Sequence, residues 1–564
     1  MKQTGKKQMK KWLATGLSLM LVASSAFAVG CSREDDEEPI DETKTTLFVG
    51  IYECGFGEEY AYALKKRFEE AHKDDQFPDG TVGVQVKITP QQSYSWSGLS
   101  STIQGWNQDV YMTEGVVGYN EAAKNGAFLE LTDIVQETLP GENVSIERKM
   151  NESYKDWYNI DGKYYAVPQY ESSTVINYDI ELFETENLYF AADGGFVSNS
   201  SESRSKGPDG KTGDIYSMDD GLPATYDEFF LLCDRMVGKG ITPILWPGKL
   251  QGYVSDLLMT LWADYEASAA LKDGEAFDEY LRTHFEFNGK TDVVTGFNGG
   301  TPSIIQKEIT ETEGYEVFKQ AGLYYALDFI YRIMQNRSYY NYTDCFGGGL
   351  DHLGAQEQFV YGSHNSEGKP IGMYVDGTWW YNEAKGAREN YVEEWSGDPN
   401  HRYGVMSIPK VSADYASSMT LYDSGISAIF VNAKIADYKK EIAKDFVQFC
   451  LTNQSLSEFT RITSTTCPYT YTLTAEDEAQ LSPLGEQLYQ IHLNSTYFMP
   501  MKQNSIFLSD TSLARSTGFW NIGNSNTPTN SFLDKIDGNG GLDSKGYFNG
   551  LGSYYQTSWG TYNK

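Results

Sequence analysis

The chain has 564 residues, enough for two or more domains and a large core. It carries 78 acidic against 45 basic residues, a formal charge of −33. So acidic a surface excludes nucleic acid and anionic lipid headgroups as general partners and disfavours a strongly anionic ligand.

The first thirty-one residues read as a lipoprotein export signal. Lys6, Lys7, Lys10 and Lys11 form a positive n-region, Trp12 to Phe27 an apolar stretch, and Ala28-Val29-Gly30-Cys31 a lipobox. Cys31 is then the lipidated residue, which places the body on the extracellular face of the cell membrane, or in the periplasm of a cell with an outer membrane. Ala28 stands where Leu is usual. The apolar stretch is too short for a transmembrane anchor, and no later segment is long and apolar enough to span. Residues 32–44 are polar and acidic, a tether. The other five cysteines (Cys54, Cys233, Cys345, Cys450, Cys467) are odd in number and scattered, which is no disulfide framework.

The body opens as a parallel α/β fold. Thr46 to Tyr52 reads as a buried strand, followed by the turn Gly55-Phe56-Gly57. A helix follows from Glu58, with Ala61, Leu64, Phe68 and Ala71 at helical spacing. Val82, Val84, Val86 and Ile88 alternate as a second strand, and Asp109 to Met112 form a third. This strand–helix order predicts a mainly parallel sheet with ligand bound past the strands' carboxyl ends. Residues 191–221 form a long Gly-, Ser- and Asp-rich loop. Helices are expected at Tyr226–Met236, in broken form across 253–285, across 315–335, and from about 438, with Ile442, Phe446, Phe449 and Cys450 on one face.

Several segments, in order, resemble the extracellular solute-binding proteins of ABC transporters, in the group that includes maltose-binding protein. They are Gln108-Asp109-Val110, Gly126–Thr132, Asp161–Pro168 followed by Val175–Asp179, and Gly221–Phe229. Thr225 there is an expected N-cap, with Glu228 completing a capping box. Ile371–Trp380, Tyr403–Pro409, Ser424–Asn432 and the Ala443–Leu451 helix complete the set, which covers about 46–470. The resemblance implies two α/β lobes of the periplasmic-binding-protein kind around a ligand cleft, with residues 45–172 plus about 424–475 in one lobe. About 173–423 plus 476–564 form the other, with unexplained length at about 265–345 and 510–564. It also implies hinge closure on a carbohydrate, an oligosaccharide above all, and delivery to ABC permease subunits, with no cofactor required.

For ligand contact, Trp379 and Trp380 come first, since a tryptophan face stacks on a pyranose; adjacent side chains diverge, so one is expected in the cleft and one in the core. Asp376 is placed to accept hydroxyl hydrogen bonds. Gln169, Tyr170 and Glu171 near the inter-lobe crossing, Thr113 and Glu114 at the third strand's end, Asp423 and Ser424 before the returning strand, and Trp246 in a turn are further candidates. The acidic loop bearing Asp209, Asp214 and Asp219 is a candidate structural calcium site, with Asp534, Asp537, Asn539 and Asp543 a weaker one. Two other classes stay open: an exported glycoside hydrolase, which needs two carboxylates across a cleft, and a surface peptide-binding or adhesion lipoprotein. There is no Gly-x-Ser-x-Gly, no His-Glu-x-x-His and no phosphate-binding glycine loop.

Overall fold

A computed structural model describes residues 39–91, 105–114, 119–213, 218–273, 290–346, 349–498 and 542–562. The leader, Cys31, Asp214, Asp534, Asp537 and Asn539 lie outside the described residues. Glu42–Lys564 forms one compact unit.

Strand β1 (Thr45–Tyr52) buries Leu47, Val49 and Ile51, and helix α1 (Glu59–Ala71) turns Ala61, Leu64 and Phe68 onto the same core. β2 (Val84–Gln91) and β3 (Val110–Thr113) flank β1 in parallel, Thr45 opposite Val84 and Val49 opposite Val110. Val82, expected in the second strand, precedes it and is 48% exposed. Asp109 is held at the entrance to β3, accepting from the Phe48 amide at 2.9 Å and pairing with Lys439 at 3.1 Å.

The chain then crosses to a second sheet. β4 (Thr174–Asp179) is buried throughout, as a strand covered on both faces must be. Helix α2 (Tyr226–Gly238) starts at Thr225, whose hydroxyl accepts from the Glu228 amide at 3.3 Å. Glu228 itself accepts from the Ala224 amide at 2.7 Å, one residue before the cap, so the expected capping box closes one position early. β5 (Thr242–Leu245) follows, then helix α3 (Gly252–Lys272), buried on nearly all sides. β6 (Lys290–Asn298) and β7 (Thr301–Glu308) form an antiparallel hairpin. The helix expected across 315–335 is divided: a 3-10 stretch Glu311–Lys319 ends where Gln320 turns extended, and α4 (Ala321–Gln335) begins. Gln320 accepts from the Trp262 indole at 2.9 Å, a tertiary contact that helical periodicity does not show.

Helix α5 (His352–Val360) leads to β8 (Ile371–Gly377), and β9 (Tyr403–Val405) completes the second sheet in the order β9-β4-β8-β5. β8 is antiparallel to β4 and parallel to β5. β10 (Thr420–Tyr422) leads back to β11 (Ala428–Val431), which joins the first sheet antiparallel to β3 and gives the order β11-β3-β1-β2. α6 (Lys440–Cys450) and α7 (Asn453–Thr463) pack against the first lobe. α8 (Pro483–Asn494) meets β9, β12 (Thr496–Phe498) pairs with β10, and α9 (Ser544–Tyr562) lies on α4 and the 3-10 stretch. The two unexplained lengths thus meet: Phe318 and Tyr555 stack with centroids 3.7 Å apart.

Each lobe is a sheet with helices, and the chain passes between them at Tyr170–Thr174 and at Tyr422–Ala428. These crossings are stitched together. Ser427 Oγ accepts from the amides of Gln169 (3.1 Å) and Tyr170 (2.9 Å), and the Ser424 amide donates to Ser172 O at 2.9 Å. Ile426 sits at φ 45°, a conformation a β-branched residue rarely adopts.

Candidate functional site

The carboxyl ends of β1, β3 and β8 converge on one cleft. β1 delivers the Cys54–Gly57 turn, β3 ends at Glu114, and β8 ends at Gly377, which leads to Trp379 and Glu383. The N-terminal two turns of α3 and α5 add Tyr253, Asp256, His352 and Gln356.

The two walls touch. A Cβ on Gly55 would lie 2.5 Å from Trp379 Cδ1 and 2.9 Å from the Glu383 carboxyl, so only glycine permits this approach. Asn382 Nδ2 donates to Phe56 O at 2.5 Å, and Lys385 pairs with Glu59 at 3.5 Å on the outside. Trp379 is half-buried, its ring 6.2 Å from that of Tyr253.

The cleft is rich in acid. Gln356 Nε2 donates to Glu383 at 2.6 Å and to Asp376 at 3.3 Å, so one amide bridges two carboxylates. Tyr170 donates to Glu114 at 3.1 Å, and His352 faces Glu383 at 3.5 Å. Burial pushes Glu114, Asp256, Asp376 and Glu383 each up to about 7, and the charge of Glu383 raises Asp376 further. Such a wall accepts hydrogen bonds from a ligand rich in donors, beside aromatic faces that cover apolar surface.

The expected residues divide. Trp379 stands at the cleft. Trp380 turns inward against Phe359, Tyr374 and Tyr403 at 5.5, 5.9 and 5.2 Å and is wholly buried, which removes it as a ligand contact. Trp246 is likewise corrected: it packs on Tyr340 and Phe346 in the second lobe's core. Asp376 is fully buried, accepting from Gly377 N at 2.6 Å, from Tyr374 and from Gln356, so it supports the wall rather than offering free oxygens. Glu171 is taken up by His492 (2.8 Å), Thr466 (2.8 Å) and Asn151 (3.2 Å), and Asp423 by Tyr154, Ser172 and the amides of Gly425 and Ile426. Both fasten the crossings, and Ser424 serves there through its backbone. Gln169 lines an interior pocket of the first lobe with Tyr60, Met112 and Cys467, and Thr113 is buried with its hydroxyl toward Ala428 O at 3.4 Å. Glu114 and Tyr170 remain together at the cleft.

Sequence reasoning missed Tyr253, Asp256, His352, Gln356 and Glu383, whereas Gly55 lies in the Cys54–Gly57 turn expected past the first strand's carboxyl end. Glu383 follows Trp379 by four residues, a helical turn away, which was a usable signal. The others come from helix starts far along the chain, and nothing local marks them.

In the acidic loop, Asp219 is buried and pushed up to about 8 by burial and by Asp209, whose amide donates to it at 3.2 Å. The expected third ligand, Asp214, falls outside the described residues. Among the described residues, Asp179, Glu181 and His401 do group within 4.8 Å, but they are engaged with one another, with Arg402 and with the Leu182 amide.

Two α/β sheets are joined by the crossings at Tyr170–Thr174 and Tyr422–Ala428, and polar and aromatic side chains of both meet beside Gly55 and Trp379. The family described as bacterial extracellular solute-binding protein matches residues 57–331. Among solved structures it is similar to a chitin oligosaccharide binding protein, at 14% identity over 92% of this chain and 99% of that one, with TM-score 0.53. It is also similar to maltose-bound MalE3 of T. maritima (12% identity, 91% and 99% covered, TM-score 0.53). The GacH receptor of Streptomyces glaucescens is a third (14%, 91% and 98%, TM-score 0.50). These likenesses establish the two-lobed fold. No curated protein sequence matches the chain significantly. Among the described residues no helix is long and apolar enough to cross a membrane.

Proposed function

We propose that this protein is the capture component of an ABC importer, taking a carbohydrate between its lobes and passing it to permease subunits. The observation that carries the reading is the cleft itself. Trp379 and Tyr253 offer ring faces beside a wall of hydrogen-bond acceptors, the combination that suits a sugar's apolar face and hydroxyl rim. The fold neighbours named for chitin oligosaccharide, maltose and acarbose agree with it. Residues 45–172 with about 424–475 act as one lobe and the rest as the other, hinged at the crossings. Lipid at Cys31 keeps the protein beside its permease on the extracellular face. The protein binds and does not hydrolyse.

Titration calorimetry with a panel of oligosaccharides tests this reading. At least one is expected to bind, and Trp379→Ala to weaken it by about 1–3 kcal/mol without unfolding. Release of reducing ends, or no binding across the panel, overturns it.

A further inference from the structure

The cleft is short of positive charge. Gln356 Nε2 joins Asp376 and Glu383, Tyr170 holds Glu114, and Asp256 lies three residues beyond Tyr253 on α3, the Tyr253 ring being 6.2 Å from that of Trp379; all four acids also act on the Tyr253 hydroxyl. Among the described residues no lysine or arginine pairs with any of them. His352 stands 3.5 Å from Glu383, and Lys385 is spent on Glu59 outside the cleft.

The donors are short as well. Gln356 is 1% exposed, and while its Nε2 is divided between two carboxylates, its Oε1 accepts nothing. Asp256, half-buried on the second turn of α3, has neither a hydrogen-bond nor an ion-pair partner among the described residues. A buried acceptor without a donor costs on the order of 1–3 kcal/mol, and like charges this close cannot all ionise without a counter-charge. A ligand bearing hydroxyls alone would satisfy the acceptors and leave the charge uncompensated.

We infer that the ligand is an amine-bearing saccharide, its protonated nitrogen seated among Glu114, Asp256 and Glu383. This rests on the carbohydrate reading above and narrows its ligand class. An ammonium brings up to three donors and one positive charge to the place that lacks both. A carboxylated or sulfated sugar is excluded by the same arrangement.

Matched saccharides separate the alternatives. The purified protein is titrated at pH 7.5 with α- and β-linked oligosaccharides, each as a neutral glucose oligomer and as the same oligomer with free amines. The amine-bearing form is expected to bind at least tenfold tighter, and this preference to shrink as NaCl is raised from 0.05 to 0.5 M. Asp256→Asn is expected to remove most of the preference while leaving the melting transition cooperative. Glu114→Gln, which keeps an acceptor for Tyr170, provides an independent variant with the same expected loss. Equal or tighter binding of the neutral forms overturns the inference and leaves the carbohydrate reading standing. No binding by any member overturns both.

Discussion

At the scale of residues, the adjacent tryptophans are a test of direction. Trp380 fills the core against Phe359, Tyr374 and Tyr403. Trp380→Ala should therefore cost about 3–5 kcal/mol in urea unfolding. Trp379→Ala should leave the urea midpoint nearly unchanged, and equal losses for the two would contradict the assignment. That the pair splits was legible in the sequence, because neighbouring side chains diverge; which one faces the cleft was not, because it depends on where β8 stops. The buried acids give a second prediction. Glu114, Asp256, Asp376 and Glu383 hold their protons more tightly folded than unfolded, each pushed up to about 7. Their stabilising share is complete below the unfolded carboxylate range, near about pH 4, and is lost as the pH rises through about 7. Asp423, pushed up to about 6, acts in the same direction. Thermal melts of the unliganded protein should give a higher Tm at pH 5 than at pH 8, and Asp256→Asn should flatten the difference. A Tm that rises toward pH 8 would count against the acid cluster.

At the scale of elements, amphipathic pieces were readable and fully buried ones were not. α1 and α6 announce themselves by one apolar face, and β1 and β3 by short apolar runs. Helix α3 was legible only in broken form, because Asp264, Glu266 and Ser268 lie inside it and interrupt the pattern, although each is buried. They are tolerated because they are partnered. Lys410 Nζ reaches both Asp264 oxygens at 2.8 Å, the Thr420 amide donates to the same carboxylate at 2.9 Å, and Glu266 accepts from the Gly322 amide at 3.0 Å. The Thr420 bond ties α3 to the strand that leads to the second crossing, and the Gly322 bond ties it to α4. Lys410→Met strands Asp264 in the interior and should cost about 3–5 kcal/mol in chemical denaturation. Adding Asp264→Leu should restore much of that; a double variant no better than the single one would show the pair is not what holds α3.

At the scale of the whole molecule, the two lobes meet through a glycine. The order of segments along the chain implied a first and a second α/β lobe, and the structure has two four-stranded sheets, β11-β3-β1-β2 and β9-β4-β8-β5. The contact between the walls was not legible, since Gly55 and Trp379 are more than three hundred positions apart and nothing local couples them. Gly55→Val should hold the walls apart, enlarging the radius of gyration in solution scattering and weakening ligand, with little change in secondary structure. The central claim, that this cleft is where ligand is captured, is tested most directly by hydrogen exchange with and without a binding oligosaccharide. Protection is expected to rise together in the segments 52–57, 110–114, 252–260 and 376–384, from both lobes at once. Protection confined to one lobe, or rising elsewhere while these segments stay unchanged, would contradict it.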